Sequence, residues 1–169
     1  MADLVAIMVP RKAAELLSEE ARRRGIPVEQ LLVEKLASGA DPAERARAYL
    51  ELHGKFLEEA EALAREGELA QAGEKLWGAV AALLNAIGEL RGLPHYSHRD
   101  YSELVEHLAS ELGRPELGRL FAVAERLHAN SYHNFVRDPG SFRAYRADVL
   151  RLVDVLTRVV ESALGQQDP

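Results

Sequence analysis

Arginine and histidine recur between Arg119 and Arg137 at a spacing that gathers them. At roughly 100° of rotation per residue in a helix, Arg119, Arg126, Asn130, His133 and Arg137 fall on one narrow stripe. Arginine presents a planar fork of donors that matches a phosphate. Imidazole gains and loses a proton near neutral pH. On an acidic protein such a stripe is a local basic patch, the form an RNA-backbone contact takes. The same pattern describes the solvated face of an ordinary amphipathic helix. Phe121, Ala124, Leu127, His128 and Phe135 fall on the opposite side and are expected to face the core, with His128 a satisfied core histidine.

Other constellations carry less. His95 and His98, in PHYSHRD, have a spacing that could chelate a metal, but no carboxylate cluster accompanies them in sequence, and a helix cap or loop hydrogen bond is the simpler role. His53 and His107 stand on helices without companions. Trp77, among small residues, belongs to the core or to a dimer seam. The Glu58, Glu59, Glu61 run reads as solvated surface and lacks the repeat that a di-iron bundle requires. There is no glycine-rich phosphate loop, serine-nucleophile motif or dinucleotide fingerprint. With no cysteine, a disulfide scaffold, a thiolate zinc site and a cysteine nucleophile are all excluded. No cofactor and no metal are expected.

The elements that must position these residues are helices. Asp41-Pro42 combines a capping residue with a first-turn proline. From there a long helix carries Tyr49, Phe56, Ala60 and Leu63 and ends near Gly67. The next carries Leu69, Ala72, Leu76, Leu83, Ile87 and Leu90. Its Gly73, Gly78 and Gly88 cost about 1 kcal/mol each relative to alanine, which close approach of a neighbouring helix would offset. After the GLPHYSHRD loop, Tyr101 to Leu112 forms a shorter helix stopped by Gly113. Pro115 opens another that ends before Pro139, and the last carries Phe142, Tyr145, Val149, Leu152, Leu156, Val159 and Ala163. Those last spacings alternate three and four, a seam that wants a facing helix. Amphipathic helices with short connections, from Asp41 to about Leu164, predict an antiparallel bundle.

The chain opens differently. Asp3 to Val9, DLVAIMV, reads as a strand by its aliphatic and β-branched content. Pro10 then opens a helix to Arg24 with Leu16, Leu17 and Ala21 inward. Gly25 stops it, and Pro27 starts a short helix bearing Val28, Leu31, Leu32 and Leu36. A lone strand leaves its backbone donors and acceptors unpaired. Its cheapest partner is the same strand of a second copy about a two-fold axis, so a homodimer or larger homo-oligomer is expected.

This order, in VPRKAAELLSEEARRRGIPVEQLLVEKL, resembles a ribbon-helix-helix module. In such dimers the ribbon's outward side chains read DNA. Here Leu4, Ala6 and Met8 alternate with Val5, Ile7 and Val9, and neither face offers the polar groups that base edges require, so DNA is not the expected partner. The remainder is similar to the archaeal PaREP family, placed in the HEPN helical-bundle superfamily. The resemblance rests on YLELHGKFLEEAEALAREGELAQAGEKLWGAVAALLNAI, YSHRDYSELVEHLASEL and AERLHANSYHNF. It implies a helical bundle that dimerises and, for many HEPN proteins, metal-independent RNA cleavage. By that resemblance Arg126 would hold the scissile phosphate and His133 would move protons, two copies supplying base and acid. Arg119, Asn130 and Arg137 would bind substrate. Leu127, directly after the arginine, departs from the polar residue usual there, and the Arg126-to-His133 gap is at the long end of the pattern.

Composition sets the outer limits. Hydrophobic residues make up 47% and charged residues 28% of 169, enough for a core without staples. A formal net charge of -6 argues against global attraction to nucleic acid. No apolar run is long enough for a membrane span, and the N-terminus lacks a signal peptide's basic leader. These point to the cytoplasm. Arginine in excess of lysine, with few Asn and Gln, fits a thermophile or a GC-rich genome. The expectation is an all-α, HEPN-like bundle over 41–169 with a strand-helix-helix dimerisation segment over 1–40. It would bind RNA or nucleotides, with metal-independent endoribonuclease action as the extension. The alternative is a non-catalytic, antitoxin-like dimer with an unidentified protein partner.

Overall fold

A computed structural model describes residues 3–166. Met1 and Ala2, at the start of the expected 1–40 segment, and the last three residues of the 41–169 segment lie outside the described residues. The described residues hold seven helices: α1 (Arg11–Arg24), α2 (Val28–Leu36), α3 (Pro42–Glu66), α4 (Leu69–Arg91), α5 (His98–Leu112), α6 (Glu116–His133) and α7 (Pro139–Gly165). The helices expected from sequence are all present, and the bundle is helical throughout.

The N-terminal strand is not seen. Residues 3–10 run without regular structure, and Leu4, Val5, Ile7 and Met8 are exposed, Met8 almost fully at 99%. A strand is defined by a neighbour's ladder, and among the described residues no backbone pairs with this segment. The ribbon-helix-helix likeness therefore rests on α1 and α2 alone. Leu16, expected inward on α1, is also exposed.

The helix ends follow local chemistry. Asp41 accepts the Glu44 N–H at 2.9 Å with Pro42 in the first turn of α3, and Asp138 accepts the Ser141 N–H at 2.7 Å with Pro139 in the first turn of α7. Each cap satisfies a donor that the helix leaves orphaned.

α4 is the axis of the bundle. It packs on α3, α5, α6 and α7 and is buried almost continuously from Ala72 to Gly88. Its small residues admit those neighbours. A Cβ at Gly73 would lie 3.3 Å from Leu127 of α6, and one at Gly78 would lie 3.0 Å from the Phe56 ring of α3. Polar pins set the register. His53 of α3 donates from Nδ1 to the Ala79 carbonyl of α4 at 3.0 Å. Tyr101 donates to Asn85 at 2.9 Å and accepts from Gln30 at 3.3 Å, which ties α2 to α4 and α5.

His53 gives the fold a pH dependence. Burial holds its imidazole below the usual pKa, against the opposing pull of the Ala79 carbonyl. The unfolded chain therefore takes up this proton first as pH falls, so the contribution is complete above about pH 6.5 and is lost as pH drops toward the folded value. Tm should fall as pH is lowered below about 6.5, and His53→Leu should flatten part of that decline. An unchanged slope in the variant would remove His53 from the account.

Candidate functional site

Two faces of α6 carry titratable groups. Arg119, Arg126 and His133 lie exposed on the first. Arg119 lines a shallow groove of about 310 Å³ with Glu116, Asp148 and Arg151. The Arg126 guanidinium sits 4.7 Å from the Phe135 ring centroid and 5.4 Å from that of Tyr145, a double cation–π contact. The other stripe members are elsewhere. Asn130 is fully buried, accepting the Val136 N–H at 2.6 Å and facing the Val136 carbonyl at 3.5 Å. α6 stops at His133, well before Pro139, because Asn134 takes the left-handed conformation (φ 47°, ψ 47°) that ends a helix. Arg137 thus lies past the helix, donating from Nε to the Asn134 carbonyl at 2.7 Å. Phe135, expected in the core, is 45% exposed. The structure keeps Arg119, Arg126 and His133 on one helix face and places Asn130 and Arg137 away from it.

The opposite face gathers a denser cluster. His128 Nδ1 donates to Glu74 of α4 at 2.7 Å. Three near-parallel rings, Trp77 of α4, His98 of α5 and His128 of α6, have centroids 5.0 to 5.4 Å apart. Tyr132 meets His128 edge-on at 5.3 Å. His98 Nδ1 lies 3.7 Å from Glu125 of α6. Each position has a local cause. Glu74 and Trp77 are three residues apart, so one face of α4 carries both. His128 and Tyr132 are four apart on α6. His98 opens α5, where Ser97 accepts the Asp100 N–H at 3.2 Å and Asp100 accepts the Tyr96 N–H at 3.0 Å.

The loop before α5 is clamped by its own histidine. Gly92 ends α4 with a left-handed turn (φ 62°). His95, buried, places Nδ1 2.8 Å from the Leu93 carbonyl and Nε2 3.1 Å from Glu89. Glu89 also accepts from Arg45 Nε at 2.7 Å. The clamp needs glycine at position 88, where a Cβ would fall 2.5 Å from His95 Nδ1. His95 and His98 thus act apart, the first holding the loop and the second stacking on Trp77.

The cluster opens onto a cleft of about 420 Å³ between the α1–α2 arm and the bundle, within the range of small-ligand sites. Glu74 and Tyr132 belong to both cleft and cluster, and Arg22, Glu29, Phe56 and Lys75 complete the walls. Lys75 pairs with Glu59 at 2.7 Å, and Lys55 with Glu29 at 3.0 Å. Burial raises the Glu29 carboxyl, but its backbone hydrogen bond and Lys55 outweigh this and leave it below the ordinary range. Among the described residues no group of three or more His, Asp or Glu gathers as a metal site, and no helix is long and apolar enough to cross a membrane.

The model of the archaeal PaREP1/PaREP8 family matches residues 48–154. The chain belongs to this family. No curated protein and no solved structure matches it. The PaREP match runs from α3 into α7 and includes Glu74, Trp77, His98, His128 and Tyr132. The α1–α2 arm and its cleft wall lie outside the matched PaREP segment.

Sequence reasoning placed His128 in the core and His98 in a loop. His128 is indeed largely buried, its side chain 13% exposed, and it has a carboxylate partner. The missed signal was the pair of spacings, Glu74 with Trp77 and His128 with Tyr132, each on a single helix face.

Proposed function

We propose that this PaREP protein binds single-stranded RNA and cleaves it by acid–base catalysis at the His128–Glu74 pair. One observation carries the reading: two imidazoles, each facing a carboxylate, stack 5.4 Å apart, and the Glu74 that holds one of them lines an open cleft. RNA cleavage without a metal needs a base for the 2′-hydroxyl proton and an acid for the leaving oxygen. His128 fits the base. Its Nδ1–H is committed to Glu74, which leaves the lone pair on Nε2, and the carboxylate stabilises the imidazolium that forms. His98, more exposed and beside Glu125, fits the acid. The 2′-oxygen, losing its proton to His128, bonds to phosphorus. The bond from phosphorus to the 5′-oxygen breaks, and that oxygen takes a proton from His98. The products are a 2′,3′-cyclic phosphate and a free 5′-hydroxyl.

This reading differs from the HEPN-type Arg126–His133 proposal. There, one histidine per chain must meet a second across a dimer. Here both imidazoles belong to one chain, and Arg126 is engaged with Phe135 and Tyr145. The test is cleavage of a single-stranded RNA in excess EDTA beside the same strand with 2′-deoxyribose. The RNA should yield cyclic-phosphate ends and the deoxy strand should stay intact. An intact RNA, or equal cleavage of both strands, would sink the mechanism.

A further inference from the structure

The α1–α2 arm leaves a charge unmatched beside the site. In the cleft, Glu29 is matched by Lys55, Lys75 by Glu59 and Glu74 by His128. Arg22, exposed on the same wall, makes no ion pair among the described residues. Across from the arm stands Tyr132, 67% exposed, its ring perpendicular to that of His128. An unpaired guanidinium and an exposed aromatic ring lining one cleft suit a phosphate and a base of the same nucleotide.

The arm itself is held firmly enough to act as a wall. Leu31 is fully buried and Gln30 reaches Tyr101 at 3.3 Å. Arg24 forms a two-point pair with Glu34 at 2.9 and 2.7 Å. Gly25 turns the chain between α1 and α2 in the left-handed conformation (φ 65°), which sets Arg22, one turn earlier, at the cleft.

We propose that the α1–α2 arm is a substrate-binding wall, and that the cleft takes one unpaired nucleotide of an RNA strand with Arg22 on its phosphate and Tyr132 against its base. The inference rests on the acid–base reading for the location of the reacting bond. The volume, about 420 Å³, admits a nucleotide rather than a helix. A base held in a duplex must first be flipped out at a cost of a few kcal/mol, so paired RNA is a poor occupant.

The test separates binding from cleavage by using 2′-O-methyl RNA, which has no free nucleophile. A fluorescently labelled single strand and its blunt duplex are titrated with the full chain and followed by anisotropy. The single strand should bind at least about tenfold more tightly than the duplex. Arg22→Ala and Tyr132→Ala should each weaken it about tenfold, in line with one charged contact or one stacked base. Tyr132→Phe should bind as the parent does, and Arg22→Lys should recover part of the loss. Parent-like binding by both alanine variants, or equal binding of strand and duplex, overturns the proposal. If binding depends on Arg22 while unmodified RNA is never cut, the wall stands and the cleavage mechanism falls. If RNA is cut at a rate and KM indifferent to Arg22→Ala, the mechanism stands and the wall falls.

Discussion

Glu74→Gln should lower the rate of metal-free RNA cleavage by about 10²–10³-fold while Tm moves by only a few degrees. Glutamine keeps the length of the side chain and an oxygen to accept the His128 Nδ1–H, so the ring stays in place. What disappears is the negative charge that stabilises the imidazolium as the 2′-hydroxyl proton arrives. The fold has little at stake, because Glu74 is partly exposed, with 35% of its side chain accessible, and partly exposed ion pairs are worth about 0–1 kcal/mol. A purely structural pair would show the reverse, with activity following only the small change in stability. A variant within about threefold of the parent rate, where 1.4 kcal/mol corresponds to tenfold, would remove Glu74 from the chemistry.

Asn130→Ala should cost about 2–4 kcal/mol of stability, close to the range for unpairing buried polar groups with a small cavity beside them. Val136 is buried at 4% exposure, and its N–H has Asn130 Oδ1 as its partner at 2.6 Å. Alanine leaves that donor, and the carbonyl opposite, without their side-chain partner. For a chain of 169 residues this corresponds to a fall in Tm of about 4–16 °C. The consequence reaches the site, because the 134–138 turn fixes where α6 ends and α7 begins. A normal Tm combined with weaker RNA binding would instead return Asn130 to a substrate contact.

The bundle was legible because its signals are local. Asp41-Pro42 and Asp138-Pro139 cap helices through their own neighbours, and Gly67 and Gly113 end helices through their own backbone. The apolar stripes did the rest. What was not legible depended on partners distant in sequence. The DLVAIMV segment has strand composition, but a ladder requires a second backbone, and none among the described residues pairs with it. Pro139 bounds the end of α6 only loosely, because Asn134 takes the left-handed turn five residues sooner. That early stop took Arg137 off the stripe, and the Asn130–Val136 bonds drew the asparagine inward. The cluster of His98, Trp77 and His128 joins three helices, and no spacing within one helix reveals such a meeting. Only its halves, Glu74 with Trp77 and His128 with Tyr132, can be seen in sequence.

Which face of α6 does the chemistry is decided by a single comparison. Single-turnover cleavage of single-stranded RNA in excess EDTA is followed for the wild type, His128→Gln and His133→Ala. His128→Gln should lose at least about 10²-fold of the rate, while His133→Ala should stay close to the wild type. Activity that survives in His128→Gln and vanishes in His133→Ala would contradict the His128 mechanism and place the reaction on the Arg126 face.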